Sequence, residues 1–343
     1  MKKMLFGLSI LASLGFSCSK KTDGSGSAAS TAPSNLTLTG TVRPDSSGNV
    51  DFAAHATNAA VYTFDFGNSV TQVSATGTLT YKYPVSGVYT VTVVAKSASG
   101  QTLSQSITLS VSVVLKLVWS DEFDAAGAPD PSKWGYDLGT GNGWGNNELE
   151  YYTNRSDNVT VSGGTLQIIA KRENYNGSAF TSARLLTKGK YSFKYGRIDV
   201  RAKLPEGVGT WPAIWMLGDN IATAGWPACG EVDIMEHVGK RLNVIYGTLH
   251  HPGHSGANGD GSTTTVSTAT SAFHIYSTEW NANTIRFLVD GSPFYTFSNN
   301  SSLPFNQSFF IILNIAMGGD FGGAVDPAFT SGTMEVDYVR VYQ

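Results

Sequence analysis

Glu231-Val232-Asp233-Ile234-Met235-Glu236 carries three carboxylates within six residues of a chain in which charged residues make up only 14% of the total. Carboxylates and apolar residues alternate over the first four positions. This pattern is typical of a half-buried β-strand, because successive side chains point to opposite faces. Glu231 and Asp233 then share one face, while Val232 and Ile234 face the core.

Glu236 would fall on the opposite face of a regular strand, because the side-chain period is two and Glu236 is an odd number of residues from Glu231. One extra residue in the strand, a β-bulge near Met235, would return Glu236 to the face of the other two carboxylates. Like charges this close raise the pKa of at least one of them. We therefore expect one ionised and one protonated carboxyl group at neutral pH.

Glycoside hydrolysis requires such a pair, since one group attacks the anomeric carbon and the other protonates the leaving oxygen. We assign Glu231 as the nucleophile, Glu236 as the acid/base, and Asp233 as an assisting group that tunes charge and orients its neighbour. The spacing alone leaves two other interpretations open: an acidic, solvated strand face and a divalent-metal site.

Several separated segments accompany this run. In chain order they are Val118-Trp119-Ser120-Asp121-Glu122-Phe123, Trp144-Gly145-Asn146-Asn147-Glu148, Tyr195-Gly196-Arg197, Trp211-Pro212-Ala213-Ile214-Trp215-Met216, Tyr246-Gly247-Thr248-Leu249-His250, Leu313-Asn314-Ile315-Ala316 and Val336-Asp337-Tyr338-Val339-Arg340-Val341-Tyr342. Together they resemble glycoside hydrolase family 16 over residues 117–343. The extra residue before Glu236 is similar to the laminarinase (endo-1,3-β-glucanase) branch, because lichenase-like members lack it.

The resemblance implies an all-β catalytic domain, a β-jelly-roll sandwich whose concave face carries a glycan-binding cleft. It also implies retaining hydrolysis of internal β-1,3-glucosidic bonds in laminarin-like glucans, with mixed 1,3-1,4-glucan as a further substrate and no cofactor for catalysis. The first Glu of the run is the family's nucleophile and the last its acid/base. Two alternatives stay open: a family 16 enzyme acting on agar or carrageenan, and a non-catalytic glycan-binding sandwich.

Two positions depart from the family pattern. Phe321 stands in a glycine-rich loop where laminarinases usually carry Trp, so we expect stacking at that subsite to be weaker or shifted. Glu150 stands where Gln is common, and we expect it to add a negative charge near the cleft. These departures bear on fine specificity and not on the reaction class.

Aromatic and polar residues near the run are candidates for substrate binding, because aromatic faces cover the apolar face of pyranose rings. Trp211 and Trp215 share a face in a regular strand, with core tryptophans of a sandwich as the alternative. Trp226 is either a subsite wall or a loop anchor. Asn146 and Arg184 match family positions that hydrogen-bond the glycan, with a loop-structuring role as the alternative.

Histidines offer one candidate for the site and none for a transition metal. His250 lies on the strand predicted to follow the carboxylate run, where it could hydrogen-bond a sugar or Glu236. A structural hydrogen bond is the alternative for a lone His, and the resemblance favours the substrate role. The spacing of His237, His251 and His254 matches no compact zinc site of a familiar kind.

The resemblance implies one structural calcium on the convex side, far from the chemistry. Asp337 is the matching carboxylate, and Glu122 and Gly164 would supply backbone carbonyls. Hard oxygen ligands suit that ion. Calcium would stabilise the fold and take no part in catalysis.

The first residues have the layout of an export signal. Lys2-Lys3 precede an apolar stretch, from Met4 to Phe16, that is too short to span a membrane as a mature helix. Cys18 follows in a loose likeness to a lipoprotein box, so we expect residues 1–18 to be a lipoprotein-type signal peptide. The protein would be exported and anchored at the bacterial cell surface or outer membrane. Ordinary cleavage with secretion is the alternative, and Cys229 would then have no partner for a disulfide.

Two further segments precede the region of resemblance. Residues 19–36, rich in Ser, Gly, Ala and Thr, are predicted to form a flexible linker. Residues 37–114 indicate an Ig-like β-sandwich, because short strands with Thr/Val alternation, separated by turn signals, are predicted at 36–41, 61–66, 78–83, 88–95 and 103–113. Tyr62-Thr63-Phe64-Asp65-Phe66-Gly67, followed by Tyr83-Pro84, resembles a PKD-type domain, for which we favour a spacer role over glycan binding.

The net charge is −3 and no basic patch is present, so nucleic acid is not an expected partner. We expect contact with a membrane only through the lipid anchor, and we expect a monomer. A neutral β-glucan suits a cleft built from aromatics and amides.

Overall fold

The computed structural model describes residues 31–68 and 70–343. The predicted signal peptide, Cys18 and most of the predicted linker lie outside the described residues. The strands of the described residues form two units, and the hydrophobic cores of the two units share no residue.

The N-terminal unit is an antiparallel sandwich of two sheets. Its strands are β1 (Ser34–Val42), β2 (Asn49–Thr57), β3 (Val61–Asp65), β4 (Thr71–Ser74), β5 (Thr78–Lys82), β6 (Gly87–Lys96) and β7 (Thr102–Val111). One sheet has the order β1-β2-β5 and the other β4-β3-β6-β7. Phe52, Phe64 and Phe66 meet in the core, with ring centroids 6.1, 5.6 and 6.3 Å apart. This architecture agrees with the predicted Ig-like sandwich.

The sequence patterns missed two strands of this unit. β2 alternates regularly, with Val50, Phe52, Ala54 and Ala56 buried, but small alanines on the buried face give a weak strand signal. β4 is only four residues long. β1 begins at Ser34, inside the segment predicted to be a linker.

The second unit is larger and is also built from strands. They are β8 (Leu117–Asp121), β9 (Gly135–Asp137), β10 (Glu150–Tyr152), β11 (Val159–Ser162), β12 (Thr165–Tyr175), β13 (Ser178–Ser182), β14 (Arg184–Leu186), β15 (Gly196–Lys203), β16 (Thr210–Gly218), β17 (Glu231–His237), β18 (Val244–His250), β19 (Asp260–Thr265), β20 (His274–Trp280), β21 (Thr284–Val289), β22 (Ser292–Ser298), β23 (Phe309–Met317) and β24 (Ser331–Tyr342). Two helices of four residues each, α1 (Ile221–Ala224) and α2 (Gly319–Gly322), lie in its loops.

Two large sheets face each other in this unit. Among the described strands, a seven-stranded sheet has the order β19-β18-β17-β16-β23-β14-β9. The ten-stranded sheet runs β10-β13-β12-β24-β15-β20-β21-β22, with β11 paired to β12 and β8 paired to β24. β17 thus lies near the middle of the smaller sheet, flanked on both sides by paired strands.

The core lies between these sheets and is lined by alternate residues of each strand. Val232 and Ile234 of β17 belong to the same core cluster as Val200 of β15 and Val339 of β24, and all four are at most 1% exposed. Burying a side chain of this size contributes roughly 1.5–3 kcal/mol. The carboxylates of β17 are thereby turned to the outer face of the smaller sheet.

β23 is buried along its whole length. Its outer face is covered at one end, where Phe310 and Ile312 form a small second cluster with Leu186. Asn314 and Ala316 continue the same face and form the floor of a cleft.

None of the helices in the described residues has the length and apolar character that crossing a membrane requires.

Candidate active site

A β-bulge in β17 aligns the three carboxylates. Between Asp233 and Glu236, β17 has two residues where each neighbouring strand has one, so Ile234 and Met235 form the bulge. Both bulge side chains are buried in the core. Glu231, Asp233 and Glu236 consequently all line the cleft. The predicted bulge is confirmed.

Burial raises the pKa of all three carboxyl groups. Burial, followed by the nearby Asp233 carboxylate, holds the pKa of Glu231 well above its ordinary range. Burial, followed by the Glu236 carboxylate, raises the pKa of Asp233 in the same way. Burial also raises the pKa of Glu236, whereas the hydrogen bond from the indole N–H of Trp211 lowers it. Each of these carboxylates opposes ionisation of its neighbour in the row. The row can therefore offer an acid and a carboxylate together.

Trp226 and His250 contact the Glu231 end of the row. Trp226 donates its indole Nε1–H to Oε2 of Glu231 at 2.8 Å, while its side chain stays 49% exposed. His250 Nε2 lies 3.2 Å from Oδ2 of Asp233 and 3.8 Å from Oε1 of Glu231. The expected contact of His250 with Glu236 is wrong, because the strand register places His250 opposite Glu231.

Glu236 is held by two donors at the other end of the row. Trp211 donates its indole N–H to Oε1 at 2.9 Å, and the Thr248 hydroxyl lies 3.4 Å from Oε2. Phe321 packs edge-on against Trp211, with ring centroids 5.4 Å apart, and against Tyr246 at 4.9 Å. Phe321 thus supports the indole that positions Glu236, in addition to lining the cleft.

The floor beside the carboxylates is formed by an arginine between two indoles. The Arg184 guanidinium lies 4.7 Å from the ring of Trp215 and 4.8 Å from the ring of Trp144. Asp137 balances its charge at 3.0 Å, and Trp215 donates to Oδ1 of Asn314 at 2.8 Å. Trp144 was not predicted to be a site residue. It reaches the cleft through a left-handed turn between two glycines, which the sequence pattern does not reveal.

Asn146 also lines the cleft, and it donates to Oε1 of Glu148 at 3.0 Å. Glu150, expected to add charge near the cleft, is fully buried behind that wall. Its Oε2 accepts the backbone N–H of Met317 at 2.6 Å. Burial and the neighbouring Glu148 raise the pKa of Glu150 well above 4.5. Burial therefore opposes a negative charge on Glu150, contrary to the expected extra charge near the cleft.

These residues enclose a cleft of about 860 Å³ on the outer face of the smaller sheet. The structure brings all six candidate substrate-binding residues to its walls: Trp211, Trp215, Trp226, His250, Asn146 and Arg184. This volume lies within the roughly 300–1,000 Å³ of typical ligand sites.

The candidate calcium residues belong to neighbouring strands and turns of the ten-stranded sheet. Asp337 lies on β24, which pairs with β12 and with β8; Gly164 directly precedes β12, and Glu122 directly follows β8. The Glu122 carboxylate pairs with Arg340 at 2.8 Å, so only its backbone carbonyl is offered. Asp337 lies 2.6 Å from the Arg201 guanidinium. The donors are of the oxygen type that calcium prefers, although Asp337 also balances a cation.

Two of the histidines that the sequence spacing set aside do come together. His251 and His254 meet Asp260, with the three ligand atoms within 4.8 Å of one another. Sequence spacing missed this cluster because Asp260 joins it only through the pairing of β18 with β19. His237 lies apart in the core, where burial lowers its pKa to about 4.

Comparisons with known proteins agree with this architecture. Residues 146–340 match the family described as Glycosyl hydrolases family 16. A β-glucanase of Rhodothermus marinus is 50% identical over 66% of this chain and 85% of its own length. The structure of the laminarinase from the same organism has a TM-score of 0.64 and covers 67% of this chain and 98% of that one. A non-specific endo-β-1,3(4)-glucanase with 1,3-β-D-cellobiosyl-glucose at its active site is 42% identical, with a TM-score of 0.64 and coverage of 67% and 95%.

Proposed function

Because the chain belongs to glycoside hydrolase family 16, we propose that it is a retaining endo-β-1,3-glucanase that cleaves internal bonds of laminarin-like glucans, with mixed 1,3-1,4-glucan as a further substrate. The observation that carries the proposal is the row of Glu231, Asp233 and Glu236 along one face of β17, beneath an aromatic cleft.

In the proposed reaction, Glu231 attacks the anomeric carbon while Glu236 protonates the leaving oxygen. Glu236 then takes a proton from water, and the water hydrolyses the glycosyl-enzyme with overall retention. The order of roles follows the family motif. The N–H of Trp226 supports Glu231 as an anion. Asp233, whose carboxylate raises the pKa of Glu231, is placed to take up a proton when Glu231 ionises.

The cleft suits a neutral glycan. Among the described residues that line it, Arg184 is the one Lys or Arg side chain, and Asp137 and two indoles already surround it. A sulfated galactan such as carrageenan would need free cations. The indole faces instead favour the apolar face of glucose rings.

Replacing the nucleophile tests the proposal. Glu231→Gln should abolish release of reducing sugar from laminarin, while Glu335→Gln, a carboxylate on the ten-stranded sheet paired with Lys203, should retain full activity. Undiminished cleavage by Glu231→Gln would sink the assignment. Absence of cleavage by the wild type on every β-glucan would favour the non-catalytic binding alternative.

A product profile on laminarin, lichenan, agarose and carrageenan separates the remaining enzyme alternatives. We expect oligosaccharides from laminarin, fewer from lichenan and none from the two galactans. Proton NMR of the first product should show the β-anomer. An α-anomer would contradict the nucleophile role of Glu231.

We also propose that calcium, held by Asp337 with the Glu122 and Gly164 carbonyls, stabilises the fold. Removing it from a calcium-loaded sample with a chelator should lower the melting temperature of the wild type and leave Asp337→Asn unaffected. An unchanged wild-type melting temperature would exclude the site.

For the rest of the chain, we propose export with a lipid anchor on Cys18, a monomeric state and a PKD-type spacer as the N-terminal unit. The spacer would hold the catalytic unit away from the membrane surface. Metabolic labelling with a fatty acid should mark the wild type and not Cys18→Ser. Equal labelling of both would rule out the anchor.

A further inference from the structure

Three metal-ligating side chains meet at the rim of the cleft. We call His251, His254 and Asp260 the rim cluster. His251 Nε2 lies 2.9 Å from Oδ2 of Asp260, and His254 Nδ1 lies 3.1 Å from its Oδ1. The cluster is separate from the carboxylate row and is not used in the proposed reaction.

The backbone holds the two histidines side by side. His251-Pro252-Gly253-His254 forms a tight turn in which the N–H of each His donates to the carbonyl of the other at 2.9 Å. Pro252 fits the first central position, and Gly253 at φ 86 supplies the positive φ that the second requires in a type II turn. The imidazoles stack with centroids 4.9 Å apart and planes 21° apart. The two donors are therefore positioned before any ligand arrives.

Both ring nitrogens of His251 have an oxygen partner. Nε2 lies 2.9 Å from a carboxylate oxygen of Asp260, and Nδ1 lies 3.2 Å from the Pro252 carbonyl oxygen. In the tautomer that carries its proton on Nδ1, the ring donates to the carbonyl and turns the Nε2 lone pair toward Asp260. This arrangement suits a metal ligand, because a His that binds a metal through one nitrogen commonly donates its other N–H to a backbone carbonyl.

The distances suit a metal ion. Zinc bonds of about 2.0–2.2 Å at tetrahedral angles place neighbouring ligand atoms roughly 3.3–3.6 Å apart. The His–Asp distances of 2.9 and 3.1 Å are slightly shorter, so a small outward movement of the side chains admits the ion. His251 is 6% exposed and packs against Phe297 and Phe305, whereas His254 is half exposed. One side of the cluster is thus anchored in the core and the other is open to solvent.

We propose that the rim cluster binds Zn²⁺ through His251 Nε2, His254 Nδ1 and Asp260, with water in the fourth position. The segment between His254 and Asp260 supplies Gly256, Ala257 and Gly259 to the cleft lining. A bound ion joins the two ends of that segment and restrains this wall of the cleft. The binding itself does not depend on the proposed glucanase activity.

Calorimetric titration of tag-free, full-length protein with ZnCl₂ tests the site. Wild type should bind one Zn²⁺, and His254→Phe and Asp260→Asn should bind it about 100-fold more weakly or worse, since loss of even an outer partner costs about 10–100-fold. His274→Asn is the matched control, because His274 pairs with Asp290 at 2.7 Å and with the Thr268 hydroxyl at 2.9 Å and takes no part in the rim cluster. It should bind as wild type does. Co²⁺ should give the visible absorption of a tetrahedral site in wild type and in the control only.

One competing site needs its own variant, because Glu231, Asp233 and His250 also lie close enough to share an ion. Glu231→Gln should keep the full affinity for Zn²⁺. Binding lost in Glu231→Gln and kept in His254→Phe would overturn the proposal. Lack of saturable binding by the wild type would also overturn it.

Discussion

Each of the two glutamates assigned to the reaction accepts an indole N–H. Trp226 binds Glu231 and Trp211 binds Glu236, at 2.8 and 2.9 Å. The sequence identified these tryptophans by their ring faces, as sugar platforms. The structure shows that their indole N–H groups bind the carboxyl groups. These contacts depend on side-chain orientation, which residue spacing does not predict. An indole that stacks on a sugar and orients a carboxylate links substrate position to the reacting group.

Glu150 shows how burial changes the meaning of a residue. Burial, followed by the neighbouring Glu148, raises the pKa of Glu150 well above its ordinary value in the fold. In the unfolded chain the carboxyl group returns to its ordinary pKa of 4.5. Because the folded pKa is the higher one, Glu150 lowers the free energy of unfolding as pH rises between the two values.

Glu150→Gln should remove that pH-dependent loss. The glutamine amide can accept from Met317 and donate to Glu148 without carrying a proton that titrates. We expect the melting temperature of the variant to exceed that of wild type by a margin that grows from about pH 5 to about pH 8. Thermal scans at several pH values check this. Glu335→Gln should show no such growth, and a constant margin for Glu150→Gln would contradict the buried-acid assignment.

The bulge of β17 determines which face Glu236 occupies. Residues 234 and 235 of β17 lie against one residue of each neighbour. Deletion of Met235 would restore one-to-one pairing, with Glu236 still opposite Ala213 and on the cleft face. Insertion of one residue after Met235 would instead require a second bulge residue or turn Glu236 into the core.

The two variants should therefore differ in activity. The deletion should cost about 2–5 kcal/mol of stability through loss of a buried Met side chain and keep measurable glucanase activity. Insertion of Ala after Met235 should lower kcat by about 10²–10⁴-fold, the share of an acid/base group. Rates on laminarin, with circular dichroism to confirm folding, decide between them. A folded deletion variant as inactive as Glu236→Gln would refute this account of the bulge.

Period-two patterns predicted the bulge and a shared face for Trp211 and Trp215, while the family resemblance implied the jelly roll and a cleft on its concave face. Contacts between distant segments could not be predicted in this way. Trp144 and Arg184 stack only because loop and strand converge, and Asp260 meets His251 only across a strand pair. β2 was missed because its buried alanines are weak strand formers. Local alternation therefore predicts faces, while neighbours across the sheet require the structure.

At the scale of the molecule, the cleft belongs entirely to the second unit. The described residues that line the cleft begin at Trp144. The hydrophobic core of the second unit includes none of the residues of the N-terminal unit. Expression of residues 115–343 alone should therefore give unchanged kcat and KM on soluble laminari-oligosaccharides. Inactivity of a soluble, folded fragment would show that the N-terminal unit contributes to catalysis. Full-length protein assayed in parallel is the control.

The two separate cores also determine what a heating experiment reports. Cooperative unfolding extends as far as a shared core does, so this chain should absorb heat in two calorimetric transitions and not one. The calorimetric enthalpy would then exceed the van't Hoff enthalpy. A shift caused by a change in the cleft or at the calcium residues should appear in one peak alone, and the other peak would serve as an internal standard within the same trace.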